Sequence, residues 1–166
     1  MDMSRGKDGE LLAGSAIVFR MCYKNLLNHV YVSRGSGALA MAFAEAFVLS
    51  TADKNQSPPY LSVYEESLTT FKEGKQLTGG KDMVLRLPVV DVRGLKNPSG
   101  YTLNVCWFLA QIPVNGSFAA DNRPGSIGHC GITGLSRPPK LPHLDWKWFR
   151  VRLADIAVKM GPVTVS

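Results

Sequence analysis

The chain has 166 residues, of which 45% are hydrophobic and 19% charged, and its formal net charge is +6. This length suits a single domain with one hydrophobic core, and the hydrophobic content excludes an intrinsically disordered chain. The three cysteines, Cys22, Cys106 and Cys130, are odd in number and widely spaced, which argues against a disulfide framework and for a reducing compartment. We therefore expect a mobile N-terminal arm over residues 1–10 and one globular domain over residues 11–166.

The charge and the apolar runs narrow the class of protein further. The polar start has no apolar segment of the secretory type. The longest mostly apolar run, residues 38–49, is shorter than the roughly 20 helical residues that span a membrane. We expect a protein that is not secreted. The positive charge favours an anionic partner, which would be nucleic acid, a nucleoprotein or an acidic membrane surface.

The first half of the chain predicts two strands and a helix. Residues 15–23 and 28–33 are rich in β-branched and aromatic residues and predict strands. Residues 37–50 hold five alanines and an apolar face at helical spacing, which predicts a largely buried helix. Residues 60–71 fit two structures: Ser62 and Glu65 would form a helical capping box, whereas the aromatics and threonines favour a strand. We prefer the helix.

The second half predicts mostly strands. Residues 83–92 predict a strand that Pro88 places at an edge or bulge, and residues 101–114 predict a strand that is apolar enough to lie centrally. Residues 115–143 are rich in glycine and proline and predict a long loop. Residues 145–166 alternate in polarity and predict a strand, broken at Gly161-Pro162 before a last short one. The expected class is α+β, mainly β, with an antiparallel sheet or sandwich and one or two packed helices.

Catalytic and metal-binding patterns are missing from the sequence. His129 and Cys130 are adjacent, but neighbouring side chains of an extended segment point apart, so a thiolate at Cys130 would need His29 or His143 as its base. The histidines and cysteines have no paired spacing of the kind that binds zinc. We expect no catalytic residues, no metal and no cofactor. A small cysteine-dependent hydrolase that uses Cys130 remains the enzymatic alternative.

Aromatic and cationic residues alternate near the C-terminal end. In the predicted strand, Trp148, Arg150 and Arg152 point to the same side, and cations there can contact phosphates while the indole stacks on a base or enters a lipid interface. The alternative is an ordinary solvated sheet face. The predicted site for nucleic acid or an anionic surface comprises Lys147, Trp148, Arg150, Arg152 and Lys159.

This segment also carries a resemblance. The run Trp146-Lys-Trp-Phe-Arg-Val-Arg-Leu153, followed by Ala157-Val-Lys-Met-Gly-Pro-Val-Thr-Val165, resembles the matrix proteins of plant-infecting rhabdoviruses, as do the size, the basic charge and the strand-rich pattern. The resemblance implies a structural protein of the virion and host cytoplasm. Such a protein binds nucleocapsid or RNA and anionic membrane, and forms homo-oligomers. Matrix proteins of animal rhabdoviruses have a lysine-dense N-terminal segment, whereas the first ten residues here include only two basic residues, Arg5 and Lys7.

A second resemblance concerns an aspartate that follows an apolar strand. The run Val89-Val-Asp91-Val-Arg93 is similar to viral cell-to-cell movement proteins of the thirty-kilodalton type. That resemblance implies a nucleic-acid-binding protein in which Asp91 is required for transport. The same residues also permit a local ion pair between Asp91 and Arg93 on one face of a strand.

Overall fold

The computed structural model of the protein describes residues 5–27, 43–50, 53, 56, 58–135 and 143–166. Its strands and α-helices fall in the following order along the chain. They are β1 (Ile17–Cys22), β2 (Tyr60–Glu65), α1 (Phe71–Leu77), β3 (Met83–Pro88), α2 (Val89–Arg93), β4 (Asn104–Trp107), β5 (Gln111–Val114), β6 (Ser117–Ala120), β7 (His129–Thr133), α3 (His143–Met160) and β8 (Val163–Thr164).

Six strands form one antiparallel sheet in the order β4-β7-β2-β1-β3-β8. The strands β5 and β6 form a separate two-stranded hairpin. Helices pack on the sheet, so the predicted α+β class with an antiparallel sheet is confirmed. Strand β1 lies within the predicted segment 15–23, and β8 follows Gly161-Pro162 as expected.

The two faces of the sheet carry different layers. Successive side chains of a strand point to opposite faces, so Val18 and Phe19 of β1 lie on opposite sides. Val18 belongs to the large core, which also contains Phe149 and Leu153 of α3, and we call this side the first face. Phe19 belongs to a smaller cluster with Met21 and Val84, against which Phe71 of α1 packs, and we call this side the second face.

The segment 60–71 is a strand followed by the start of a helix, so the preferred helix over this segment was wrong. Tyr60–Glu65 pairs with both β1 and β7, and its side chains alternate between the two faces. The capping box that forms uses Thr70, the N-cap of α1, and Glu73, which follows three residues later. Sheet pairing on both sides of β2 therefore outweighs the local capping pattern at Ser62.

The C-terminal segment is a helix and not a strand, which corrects the expectation for residues 145–166. The buried side chains Phe149, Leu153 and Ala157 recur at every fourth position and lie against the sheet. The alternation of cations with Phe149, Val151 and Leu153 covers too few residues to distinguish the two periods. Burial of the helical stripe on the first face decides between them.

The predicted central strand and the predicted long loop both need correction. Residues 101–114 divide into β4 and β5, and β4 lies at one end of the six-stranded sheet. Within the expected loop 115–143, residues 129–133 form β7, which pairs with β2 on one side and β4 on the other. Residues 136–142, the predicted strand 28–33 and the first part of the predicted helix 37–50 lie outside the described residues.

The residues expected to form a mobile arm pair with the sheet from Gly9 onwards. The N–H of Gly9 donates to the carbonyl of Trp107, and the N–H of Trp107 donates to that of Glu10. The Arg5 guanidinium lies 5.8 Å from the Trp107 ring centroid. Residues 5–12 therefore cover the free edge of β4, which removes an exposed edge from the sheet.

Candidate interface for anionic surfaces

Helix α3 places some of the predicted site residues together, with Arg152 and Lys159 exposed and Trp148 half-buried against the large core. Trp148, Arg152 and Lys159 recur at helical spacing and share one outer stripe with Asp155. The Arg152 guanidinium lies 5.1 Å from the Trp148 ring centroid, and its Nη1 lies 3.4 Å from Asp155 Oδ2. Lys147 is exposed on the adjacent side of the helix. We call Lys147, Trp148, Arg152 and Lys159 the α3 cluster.

Arg150 does not belong to this cluster, contrary to the strand-based expectation. Two residues along an α-helix correspond to a rotation of about 200°, so Arg150 projects from roughly the opposite side to Arg152. The half-buried position of Arg150 agrees with this placement. The predicted grouping of Trp148, Arg150 and Arg152 on one face is therefore wrong because it assumed a repeat of two residues.

Sequence reasoning missed a second group of cations, on α1. Lys72 and Lys75 line a shallow depression of about 360 Å³ with Gln76, Gly80 and Ser166. Helix α1 packs on the second face through Phe71 and Gly74, whereas α3 packs on the first face. Lys72 and Lys75, which we call the α1 cluster, thus lie across the sheet from the α3 cluster. The signal that identifies α1 in the sequence is Thr70-x-x-Glu73.

Most carboxylates are engaged within the fold. In the described part of the chain, Glu45 and Asp91 are the only acidic side chains that accept no hydrogen bond. The others bond to arginine side chains, backbone N–H groups or side-chain amides and hydroxyls. Within the same residues, the ammonium groups of the α1 and α3 clusters form no ion pair. Lys72, Lys75, Lys147 and Lys159 therefore carry positive charge that no described carboxylate pairs with.

A buried polar cluster joins four segments of the chain on the second face. His129 Nδ1 lies 2.9 Å from the carbonyl oxygen of Phe108, to which it donates, and its Nε2 lies 3.2 Å from Ser62 Oγ. Ser62 Oγ in turn lies 3.2 Å from Asp53 Oδ1. Burial lowers the pKa of His129, which keeps the imidazole neutral. A nucleophilic triad needs the imidazole between hydroxyl and carboxylate, but here the hydroxyl is in the middle.

The Cys130 thiol does not have the environment of a nucleophile. Cys130 is fully buried in the large core, and its Sγ lies 3.2 Å from the carbonyl oxygen of Gly128. Burial raises the pKa of this thiol well above its usual range. A reactive cysteine needs access and a lowered pKa. His129 projects to the opposite face of β7, while residue 29 and the side chain of residue 143 lie outside the described part.

Asp91 and Arg93 lie in the single turn of α2 and not on a strand face. Asp91 is exposed, whereas Arg93 points inward and donates to Asn104 Oδ1 and to the carbonyl of Leu12, at 2.9 and 2.6 Å. The two side chains therefore do not form the local ion pair that a strand would permit. Asp91 instead lines an open groove of about 430 Å³ with Lys159 and Met160.

Metal-binding clusters and membrane-spanning helices are both missing from the described residues. The described residues include no group of three or more His, Cys, Asp or Glu side chains placed to hold a metal ion. They include no helix with the length and hydropathy needed to cross a bilayer. Comparisons of the chain with family models, curated proteins and solved structures gave no match.

Proposed function

We propose that this protein is a non-enzymatic viral structural protein of matrix type, which self-associates and holds a nucleocapsid or RNA against an anionic membrane. The observation that carries the proposal is that two clusters of cations lie on opposite sides of one sheet. The α3 cluster lies over the first face and the α1 cluster over the second. A protein that bridges two anionic surfaces requires cations on opposite sides, whereas a single nucleic-acid groove requires them together.

The chemistry of the two clusters favours one partner for each. The α3 cluster combines an indole, a guanidinium and ammonium groups, which is the combination that stacks on bases and contacts phosphates. The α1 cluster has two ammonium groups beside a glycine turn and no aromatic ring in its depression. Point charges of this kind suit lipid headgroups. We assign RNA to the α3 cluster and the anionic membrane to the α1 cluster.

Paired charge reversals test this assignment. The variant Lys147→Glu/Lys159→Glu should lower the affinity for single-stranded RNA about tenfold or more at low salt and leave binding to anionic vesicles unchanged. The variant Lys72→Glu/Lys75→Glu should have the opposite effects. The matched control is Lys7→Glu/Lys96→Glu, which makes the same charge change at two exposed lysines outside both clusters. It should affect each affinity less than either cluster variant does.

Salt dependence provides a second readout of the same variants. Each phosphate contact to single-stranded nucleic acid contributes about 0.7 to the slope of log affinity against log salt concentration. Loss of Lys147 and Lys159 should therefore reduce the slope for RNA by about 1.4. If the unmodified protein binds neither RNA nor anionic vesicles at low salt, and light scattering shows only monomers, the proposal is wrong.

A second candidate function is a movement protein that binds nucleic acid. The supporting observation is that Asp91 is exposed and unengaged, beside a groove that also contains Lys159. Asp91→Asn should then abolish cell-to-cell transport while the unfolding transition stays unchanged. Normal transport by a folded Asp91→Asn protein would eliminate this candidate.

A further inference from the structure

The β5–β6 hairpin is set apart from the rest of the fold. Its strands pair only with each other, and its turn at Asn115-Gly116 has φ angles of 49° and 80°. These positive angles are typical of the two-residue turn that Asn-Gly favours. An isolated two-stranded hairpin is marginally stable in water. The hairpin therefore gains from an environment that covers it.

The hairpin is uncharged and exposed on both of its faces. The sequence from Tyr101 to Ala120 contains no Asp, Glu, Lys or Arg. Pro113 pairs with Phe118 on one face, and Val114 pairs with Ser117 on the other. Phe118 is 68% exposed, Val114 44% and the preceding Leu109 42%. All strand residues of the hairpin except the half-buried Ile112 are exposed.

We infer that this hairpin enters the boundary between the headgroups and the acyl chains of a lipid bilayer. A bilayer surrounds an inserted element on every side, which fits a hairpin with two uncharged exposed faces. A protein partner usually covers one face and leaves the other to water, and that second face is normally polar. The inference rests on the proposed function in that it takes an anionic membrane as the partner.

The charges at the base of the hairpin mark the limit of insertion. Arg123 forms a two-pronged ion pair with Asp121, the residue that follows β6, with Nη2 and Oδ2 2.8 Å apart. Arg5 lies in the same depression as Leu109 and Arg123, and its Nη2 is 2.5 Å from Asp8 Oδ1. These pairs neutralise the base of the hairpin. The unpaired strand edges exclude deep entry into hydrocarbon, so a depth of about 5–10 Å is expected.

The hairpin and the α1 cluster lie on the same side of the sheet. The ring of Phe108, just before the hairpin, stacks on Tyr60 of the second face with 4.1 Å between centroids. At the other end, Thr69 Oγ1 donates to the carbonyl of Gly125 at 2.6 Å, which joins the loop after the hairpin to the start of α1. Insertion of the hairpin would therefore bring Lys72 and Lys75 toward the headgroups.

A fluorescent label at the turn tests insertion directly. Because Cys22, Cys106 and Cys130 are all buried, an added Ser117→Cys can be labelled with a polarity-sensitive nitrobenzoxadiazole dye. Vesicles of 70% phosphatidylcholine and 30% phosphatidylserine should shift its emission to the blue and allow quenching by doxyl-labelled lipids. The matched control, Ser15→Cys, is exposed but lies outside the hairpin, and its dye should report water throughout.

Removal of the apolar side chains gives an independent measurement. The double variant Val114→Ser/Phe118→Ser should partition into the same vesicles about tenfold or more weakly than the unmodified protein at 0.15 M salt. The affinity of the double variant for RNA should stay unchanged. The hairpin inference is wrong if the unmodified protein binds vesicles, the dye at position 117 reports water and the double variant binds vesicles normally. The proposed function would then still stand. If the unmodified protein binds no vesicles, the inference and the membrane part of the proposed function both fail. A double variant that loses only self-association would also overturn the inference.

Discussion

The guanidinium of Arg152 lies 5.1 Å from the ring centroid of Trp148, four residues earlier on α3. In a helix these two side chains are neighbours because they are separated by about one turn. The same geometry carries Arg150 to the other side of the helix. The Arg152 guanidinium already covers one face of the indole. A nucleic-acid base that stacks on Trp148 therefore has to displace Arg152, or else stack on the outer side of the guanidinium.

Arg20 should contribute strongly to stability. Its Nε donates to the carbonyl of Ala46 at 3.0 Å and its Nη1 donates to that of Ser62 at 2.8 Å, which ties the segment 43–50 to β2. Arg20→Met leaves both carbonyls without their donors, and we expect the free energy of unfolding to fall by about 3 kcal/mol. Urea denaturation measures this change. Arg152→Met, at a half-exposed arginine, is the control and should cost about 1 kcal/mol or less; equal losses would contradict the assignment.

Gly74 should not tolerate alanine, although it lies inside a helix. A Cβ at this position would be 2.7 Å from the ring of Phe19 and 3.2 Å from the sulfur of Met21. In an exposed helix, Gly→Ala stabilises by about 1 kcal/mol, whereas overpacking here should destabilise by about 1–3 kcal/mol. Thermal or urea unfolding of Gly74→Ala distinguishes the signs. Gly14→Ala, where no atom lies within 4 Å of the added Cβ, should change stability by no more than about 0.5 kcal/mol.

His129 should make the fold less stable in mildly acidic solution. Burial lowers its pKa in the native state, while the unfolded chain has a histidine pKa near 6.5. As the pH falls below about 6.5, the unfolded state takes up a proton that the native state does not, so stability declines by up to about 1.4 kcal/mol per pH unit. Above that pH this contribution is complete and does not change.

The variant His129→Gln isolates this contribution, because His29 and His143 are the same in both proteins. Urea denaturation between pH 7.5 and 5 should show a smaller loss of stability for His129→Gln than for the unmodified protein. Parallel pH profiles of the two proteins would show that His129 is not the group responsible. The comparison is made above pH 5 because carboxylates dominate below it.

Cys130 should be inert toward thiol reagents in the native state. Its burial and raised pKa keep the sulfur protonated and shielded. We expect a chromogenic disulfide reagent to modify Cys130 only as fast as the protein opens, and at full rate in denaturant. Comparison with Cys130→Ala shows how much of the reagent's absorbance change comes from Cys130. Rapid, preferential labelling of Cys130 in the native protein would instead restore the cysteine-dependent hydrolase as a candidate.

Local patterns predicted the elements whose surroundings agree with their propensity. The β-branched residues of Ile17–Cys22 form β1, and the break at Gly161-Pro162 precedes β8. Local patterns gave wrong predictions where a short run of residues fits both the strand repeat and the helix repeat. Residues 148–153 alternate in polarity, yet α3 forms because Phe149, Leu153 and Ala157 bury one helical stripe on the sheet.

The candidate sites show the same division. The sequence named Trp148, Arg152, Lys147 and Lys159, but it also included Arg150 because the strand repeat puts it on their side. The sequence did not indicate Lys72 and Lys75, because no local sequence pattern predicts that α1 and α3 pack on opposite faces of the sheet. Nor did it single out the hairpin, which fell partly in a predicted strand and partly in a predicted loop.

The sequence by itself determined the α+β class, the excess of positive charge and the uncharged run that ends at Ala120. Only the tertiary structure decided which cations share a side and that the three thiols and the His129 imidazole are buried. It also decided that the hairpin stands outside the main sheet. The physical reason is that composition and short-range periodicity depend on neighbours along the chain. Which face of the sheet a side chain occupies, and whether it is buried, depends on pairing between strands that are far apart in the sequence.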